Sequence, residues 1–367
     1  MKCIFTGGGT LGHTNPAIAV AEKIRDKHHN ADILFIMRKD GKENAAVLKR
    51  GFKVEEIPAV GLNRDKGVID KARVGGITIS ALGRCVKIIK QYKPDFIFGT
   101  GGYVSFAPLV AGLINKVPTY VHESNTSPGL VTKIAVRLGA TPLMSTEEAT
   151  KHFRSKKECR TVGTPLLSDF GKITRNEAKL KLGIEKGKIF VISFGGSGGS
   201  GTMNDVIMEL MSDRSKSRSN IIHLHATGEK YFSDAKKKYQ NLSEGDGGQR
   251  IVSKITDMAI HMSAADIVIC RCGAATLAEL SAVGRAAILI PSPNVTNNHQ
   301  YENGKRLADM NAAIMIEENE LTKDWLKDKI QILSQSETLR KTLEKRILSQ
   351  NNKASSELIA NILTEGI

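Results

Sequence analysis

The chain has 367 residues, more than one hydrophobic core usually supports, so two domains are expected. Hydrophobic residues at 41% and charged residues at 25% exclude a disordered or fibrous chain, and no apolar run approaches the roughly 20 residues that span a bilayer. A formal net charge of +15 calls for a polyanionic partner, while aromatics at only 5% and no recognisable reader module argue against nucleic acid.

The opening Met1-Lys2-Cys3-Ile4-Phe5-Thr6 reads as a strand over 2–6 without the longer apolar stretch of a secretory signal, so a cytoplasmic protein is expected. It runs into Gly7-Gly8-Gly9-Thr10-Leu11-Gly12, which fits G-x-G-x-x-G at Gly7, Gly9 and Gly12. Bare backbone there lets amides approach a phosphate. His13 follows at the strand's carboxyl end, where an imidazole can take the proton of an attacking hydroxyl. Asn15 as N-cap and Pro16 in the first turn predict a helix over 16–27. A strand over 32–37 ends in Arg38-Lys39. A dinucleotide-binding oxidoreductase wants an acid about 20 residues past its glycines, so that reading is demoted here.

The stretch 64–93 carries eight basic residues (Arg64, Lys66, Lys71, Arg73, Arg84, Lys87, Lys90, Lys93) against Asp65 and Asp70. Leu82, Val86 and Ile89 have the spacing of a core-facing helical stripe. Val68, Ile69, Val74 and Ile77, among the cations, are candidates for touching an anionic membrane surface. A strand over 95–99 leads to Gly101-Gly102-Tyr103-Val104-Ser105 and a helix over 104–115. The next strand, 118–122, ends in His122-Glu123-Ser124-Asn125, where polar groups at a buried strand's end mark a site wall; the competing role for Glu123 and Asn125 is capping the following helix, 128–138.

Val162-Gly163-Thr164-Pro165 breaks regular structure and marks the seam, with domains expected over 1–163 and 164–344 and the terminal segment 345–367 packing back on the first. The second half repeats the pattern: strand 188–194, then Gly195-Gly196-Ser197-Gly198-Gly199-Ser200-Gly201, then helix 202–211. In strand 220–225, His223 and His225 share a face, but no partner lies at ligand spacing, so core histidines are preferred to a metal site. Strand 266–270 leads through Cys270 and Cys272, read as buried thiols, to Gly273-Ala274-Ala275-Thr276-Leu277-Ala278-Glu279 and a helix over 273–283. Glycine and free amides there suit a diphosphate, and Glu279 suits ribose hydroxyls. Strand 286–290 precedes Pro291 to Gln300, a run of amides and hydroxyls suited to a sugar, with Gln300 foremost. Helices over 298–309, 321–347 and 353–364 close the chain. Near-continuous apolar strands alternating with amphipathic helices predict an α/β fold: two Rossmann-like, doubly wound domains with parallel sheets facing a cleft.

In order and spacing, these motifs resemble the MurG family of cell-wall glycosyltransferases: Gly8 to His13, Gly101 to Ser105, His122 to Asn125 with Pro128-Gly129-Leu130, Gly195-Gly196-Ser197, Arg271 to Glu279, and Pro291 to Gln300. The resemblance implies a GT-B architecture, no metal or organic cofactor, and transfer of N-acetylglucosamine from UDP-GlcNAc to lipid I at the cytoplasmic membrane face. It implies His13 as the base, with Glu123 as second candidate. It further implies substrate contacts at Thr10, Leu11, Gly12, Gly102, Tyr103, Asn125, Ser197, Ile255, Gly273, Ala274, Thr276, Glu279 and Gln300. Three departures stand out: Leu11 where the family has Gly or Ala, Leu167 where it has a donor-facing arginine, and the extra glycines of 198–201. The rival readings are a diverged paralog using another sugar or lipid acceptor, a non-hydrolysing UDP-sugar epimerase, and a catalytically silent glycan- or nucleotide-binding paralog.

Overall fold

The structure is a computed structural model that describes every residue except 62–67, 154–158, 197, 217–218, 246, 296–297 and 352–353, and the side chains of 68, 69 and 71. The chain forms two compact units, Met1–Leu167 with Asn352–Ile367, and Ser168–Asn351. The first is built on seven strands: β1 (Lys2–Thr6), β2 (Asp32–Arg38), β3 (Lys53–Ile57), β4 (Phe96–Gly99), β5 (Thr119–Glu123), β6 (Thr141–Met144) and β7 (Arg160–Thr161). Their order is β3-β2-β1-β4-β5-β6-β7, and every pairing is parallel. The second unit has β8 (Ile189–Phe194), β9 (Ile221–Ala226), β10 (Gln249–Val252), β11 (Ile267–Cys270), β12 (Ala286–Leu289) and β13 (Ile314–Met315), in the order β10-β9-β8-β11-β12-β13, again parallel throughout.

Strands apolar at consecutive positions bury both faces, and this forces helices onto both sides of each sheet. In β1, Cys3 and Phe5 enter one core and Ile4 the other. The register Phe5↔Phe35 stacks those rings with centroids 5.4 Å apart, and Phe98 meets Phe5 edge-on at 5.6 Å. The second sheet divides in the same way, with Val191 and Ile269 on one face and Ile192 and Val268 on the other. The helix Ser355–Thr364 sends Ile359, Ala360 and Leu363 into the first unit's core, and Lys27 holds it through Glu357 (3.0 Å) and Asn361 (2.7 Å).

The structure corrects three expectations. The first helix starts at Leu11 with Thr10 as N-cap, so Asn15 and Pro16 lie inside it. Proline is tolerated there because it forfeits only the bond to the Gly12 carbonyl. Val74 is buried at 8% exposure in the helix Val68–Tyr92, so it packs inward; among the described residues of that helix Ile79 is an outward apolar residue, 73% exposed. Five edge or short strands (β3, β6, β7, β10 and β13) also went unread, because their alternating or two-residue apolar patterns are weak signals. Arg64, Lys66 and Ser197, together with the side chains of Val68, Ile69 and Lys71, lie outside the described residues.

Candidate active site

Each sheet reverses strand order once, between β1 and β4 in the first unit and between β8 and β11 in the second. Loops at the carboxyl ends of those strands diverge, which is where open α/β sheets bind ligands. In the first unit this point holds His13. Its Nδ1 lies 3.1 Å from the Thr100 carbonyl oxygen. A carbonyl only accepts, so Nδ1 carries the hydrogen and Nε2 keeps its lone pair. The Thr100 hydroxyl donates to the His13 carbonyl at 2.5 Å, gripping the residue from its other end. The ring lies against Gly101-Gly102. A Cβ on Gly102 would come within 3.1 Å of His13 Cδ2 and 2.3 Å of the Gly8 oxygen, and its φ of +76° also demands glycine.

Thr10 caps the helix without a side-chain hydrogen bond and is exposed, as is Leu11 at 44%. Gly12 completes the uncapped first turn, whose leading amides have no intrahelical acceptor. Tyr103 lays its ring over the loop, with Cε1 2.8 Å from where a Gly9 Cβ would stand and Cδ1 3.3 Å from that of Gly61. Glu123 is 4% exposed and fully engaged. Its Oε1 accepts from the Asn125 amide (3.0 Å) and side chain (2.9 Å), and its Oε2 from the Gly129 amide (2.9 Å) and Thr132 hydroxyl (2.8 Å). That carboxylate organises the loop entering the helix Leu130–Leu138. Neighbouring His122 donates from Nε2 to the Gly163 oxygen at 2.9 Å, and burial pushes it down to about 4.

In the second unit the helix Ala274–Val283 begins directly after β11 with Gly273 as a bare N-cap. The amides of Ala274, Ala275 and Thr276 therefore face outward unpaired at the positive end of the helix, a ready anion site. Glu279 has no hydrogen-bond or ion-pair partner among the described residues, and burial pushes its carboxyl up to about 8. Glu279 keeps some exposure to solvent, so its carboxyl is reachable by a ligand's hydroxyls. Gln300 is partly spent: its Oε1 accepts from the Ser292 amide at 2.9 Å, which folds the 291–300 loop back and leaves its –NH2 as the donor for a ligand. Ile255 is half-buried against the core.

Beneath these loops lie groups to which the sequence reading gave no role in the site. Arg271 donates to the Pro291 oxygen (3.0 Å), the Ser200 hydroxyl (2.6 Å) and the Glu318 carboxylate, tying β11, β12 and the second glycine loop together. Gly199 of that loop packs so tightly that a Cβ would meet the Thr227 oxygen at 2.2 Å, which accounts for that glycine, whereas nothing lies within 4 Å of a Cβ at Gly198. His223 and His225 are core residues: both bond the Ser193 hydroxyl at 2.8 Å, and His225 continues to Asn204 at 3.0 Å. Burial holds His225 down at about 4, so the network is neutral. Leu167 packs on the first unit's core. In the first unit, buried Glu43 accepts the Gly9 amide at 2.7 Å. A cavity of about 360 Å³ lined by Leu113, Lys116, Pro118, Tyr120 and Thr141 sits at the amino ends of β5 and β6, opposite these loops.

Residues 3–141 match the family model described as the glycosyltransferase family 28 N-terminal domain, and residues 189–360 its C-terminal domain. A curated relative from Acetivibrio thermocellus, named UDP-N-acetylglucosamine–N-acetylmuramyl-(pentapeptide) pyrophosphoryl-undecaprenol N-acetylglucosamine transferase, is 36% identical over 100% of this chain and 98% of its own. Among solved structures, Acinetobacter baumannii MurG superimposes with a TM-score of 0.75 at 20% identity, covering 99% of both chains. A UDP-GlcNAc 2-epimerase from Neisseria meningitidis bound to UDP-GlcNAc gives 0.68 at 13%, covering 100% of both, so the fold alone does not separate transferase from epimerase. The full-length identity does: this chain has the GT-B fold and belongs to the MurG family of glycosyltransferases, within glycosyltransferase family 28.

Proposed function

We propose that the protein moves N-acetylglucosamine from UDP-GlcNAc to lipid I, forming lipid II for peptidoglycan, with inversion at the anomeric carbon. The second unit holds the donor. The unpaired amides of Ala274 to Thr276 take the diphosphate, Glu279 takes the ribose hydroxyls and the Gln300 –NH2 a sugar hydroxyl. The first unit supplies the acceptor's base. As the acceptor oxygen bonds to the anomeric carbon, its proton passes to His13 Nε2 and the bond to UDP breaks. The departing charge is met by peptide dipoles. Thr10, Leu11 and Gly12 directly precede His13 and Gly102 lies against its ring; with Tyr103 and Asn125 they are assigned as substrate contacts by resemblance, as are Ser197 and Ile255 to the donor. Glu123 serves as a positioning group, since its own loop uses both of its oxygens.

The observation that carries the chemistry is the His13–Thr100 hydrogen bond, which fixes the tautomer a base needs. For the lipid acceptor, the outer face of Val68–Tyr92 offers exposed Arg73, Arg84, Lys87 and Lys90 beside Ile79, a surface suited to anionic headgroups at the cytoplasmic membrane face. No helix among the described residues is long and apolar enough to cross a membrane. The test is turnover with lipid I and a panel of UDP-sugars. Disaccharide product from UDP-GlcNAc supports the reading; a new UDP-sugar formed without any acceptor would overturn it in favour of an epimerase.

A further inference from the structure

The first glycine loop is held by a residue to which no role has been assigned so far. Glu43 lies just beyond the end of β2, 34 residues from Gly9 in sequence, and is 5% exposed. Its Oε1 accepts the Gly9 amide at 2.7 Å. Its Oε2 lies 4.0 Å from the Arg38 guanidinium. Gly9 has φ +92°, which turns its amide inward towards that carboxylate. In nucleotide-binding loops such an amide points at a phosphate; here an internal carboxylate takes that place, so the loop holds its shape without substrate. The loop in turn bears on the base. The Gly8 oxygen abuts Gly102, whose other side meets the His13 ring, and the helix carrying His13 begins two residues after Gly9.

We propose that Glu43 is a positioning residue for the transfer reaction: by its reach, it sets the loop Gly7–Gly12 and so the direction of His13 Nε2. This rests on the reading of His13 as the base. A buried carboxylate that accepts a backbone amide also contributes to folding, so replacement by alanine alone is ambiguous, and two conservative variants separate the roles. Glu43→Gln keeps the length and an accepting oxygen but not the charge. Glu43→Asp keeps the charge but falls one methylene short.

Steady-state kinetics with UDP-GlcNAc and lipid I, together with thermal unfolding of each variant, make the test. If reach matters, Glu43→Gln stays within about 3-fold of the parent, whereas Glu43→Asp loses ~10- to 100-fold in kcat with donor KM unchanged, as expected when a catalytic group is misplaced by about an ångström. Full kcat for Glu43→Asp overturns the proposal. So does a loss confined to Glu43→Gln, which would make charge the active feature, or a loss that follows unfolding in both. His13→Ala run in parallel keeps the two ideas apart: if it turns over normally, the base assignment fails; if it is dead while Glu43→Asp is normal, only the Glu43 proposal fails.

Discussion

The two units share a strand pattern and carry glycine-led helices beside the reversal of strand order, after β1 in the first and after β11 in the second, yet the side chains around them are satisfied differently. In the first, the loop is closed on the protein: the Gly9 amide is given to Glu43, the His13 Nδ1 to Thr100, and the Glu123 oxygens to its own loop. In the second, the helix Ala274–Val283 also has an uncapped first turn, as Leu11–Lys27 does, but Glu279 has no partner among the described residues. Internal satisfaction suits the role proposed for His13, a reactive nitrogen on a rigid seat. Unpartnered polar groups suit the proposed receptor, since a ligand can supply the hydrogen bonds they lack.

The contrast can be broken at several points. The largest effect is expected for His13→Ala, which should lower kcat by about 10²- to 10⁴-fold in a steady-state assay. Loss of the strut beneath the open site comes next: Glu318→Ala strands the buried Arg271 guanidinium and should destabilise the second unit by about 3 kcal/mol or more in denaturant unfolding. Glu279 sharpens the comparison through pH. A carboxyl at about 8 when folded binds more protons than it does unfolded, so its contribution makes stability fall as pH rises from the ordinary carboxylate range towards 8. Thermal melts of the free protein across that window should show the decline, and Glu279→Gln should flatten it. The smallest change is expected at the membrane face. Lys87→Glu with Lys90→Glu should weaken sedimentation with anionic vesicles by about 1 kcal/mol per lost cation, without altering turnover on a soluble acceptor.

Much of this was legible in the sequence. Central strands such as Ile189–Phe194 are apolar at nearly every position, so they were placed to within a residue or two. The His13 and Glu279 segments stood out because glycine-led turns follow their strands, and Glu123 because polar residues end a buried strand. The helix Arg175–Lys181 went unread although Thr174 and Glu177 form a capping box that was there to be seen. Glu43 had no local signal at all: it sits among Lys, Asp, Gly and Asn, where an acid reads as surface, and only the folded chain brings it to Gly9. Glu123 and Gln300 were singled out as candidates, but which of their oxygens the protein itself consumes depends on loop geometry that no spacing encodes.

The division of labour is tested most directly by calorimetric titration of UDP into His13→Ala and Glu279→Gln side by side. The account predicts parent-like affinity for His13→Ala and a loss of about 10-fold or more for Glu279→Gln, the size of a hydrogen bond to a charged group. Parent-like UDP binding by Glu279→Gln together with a loss in His13→Ala would contradict it.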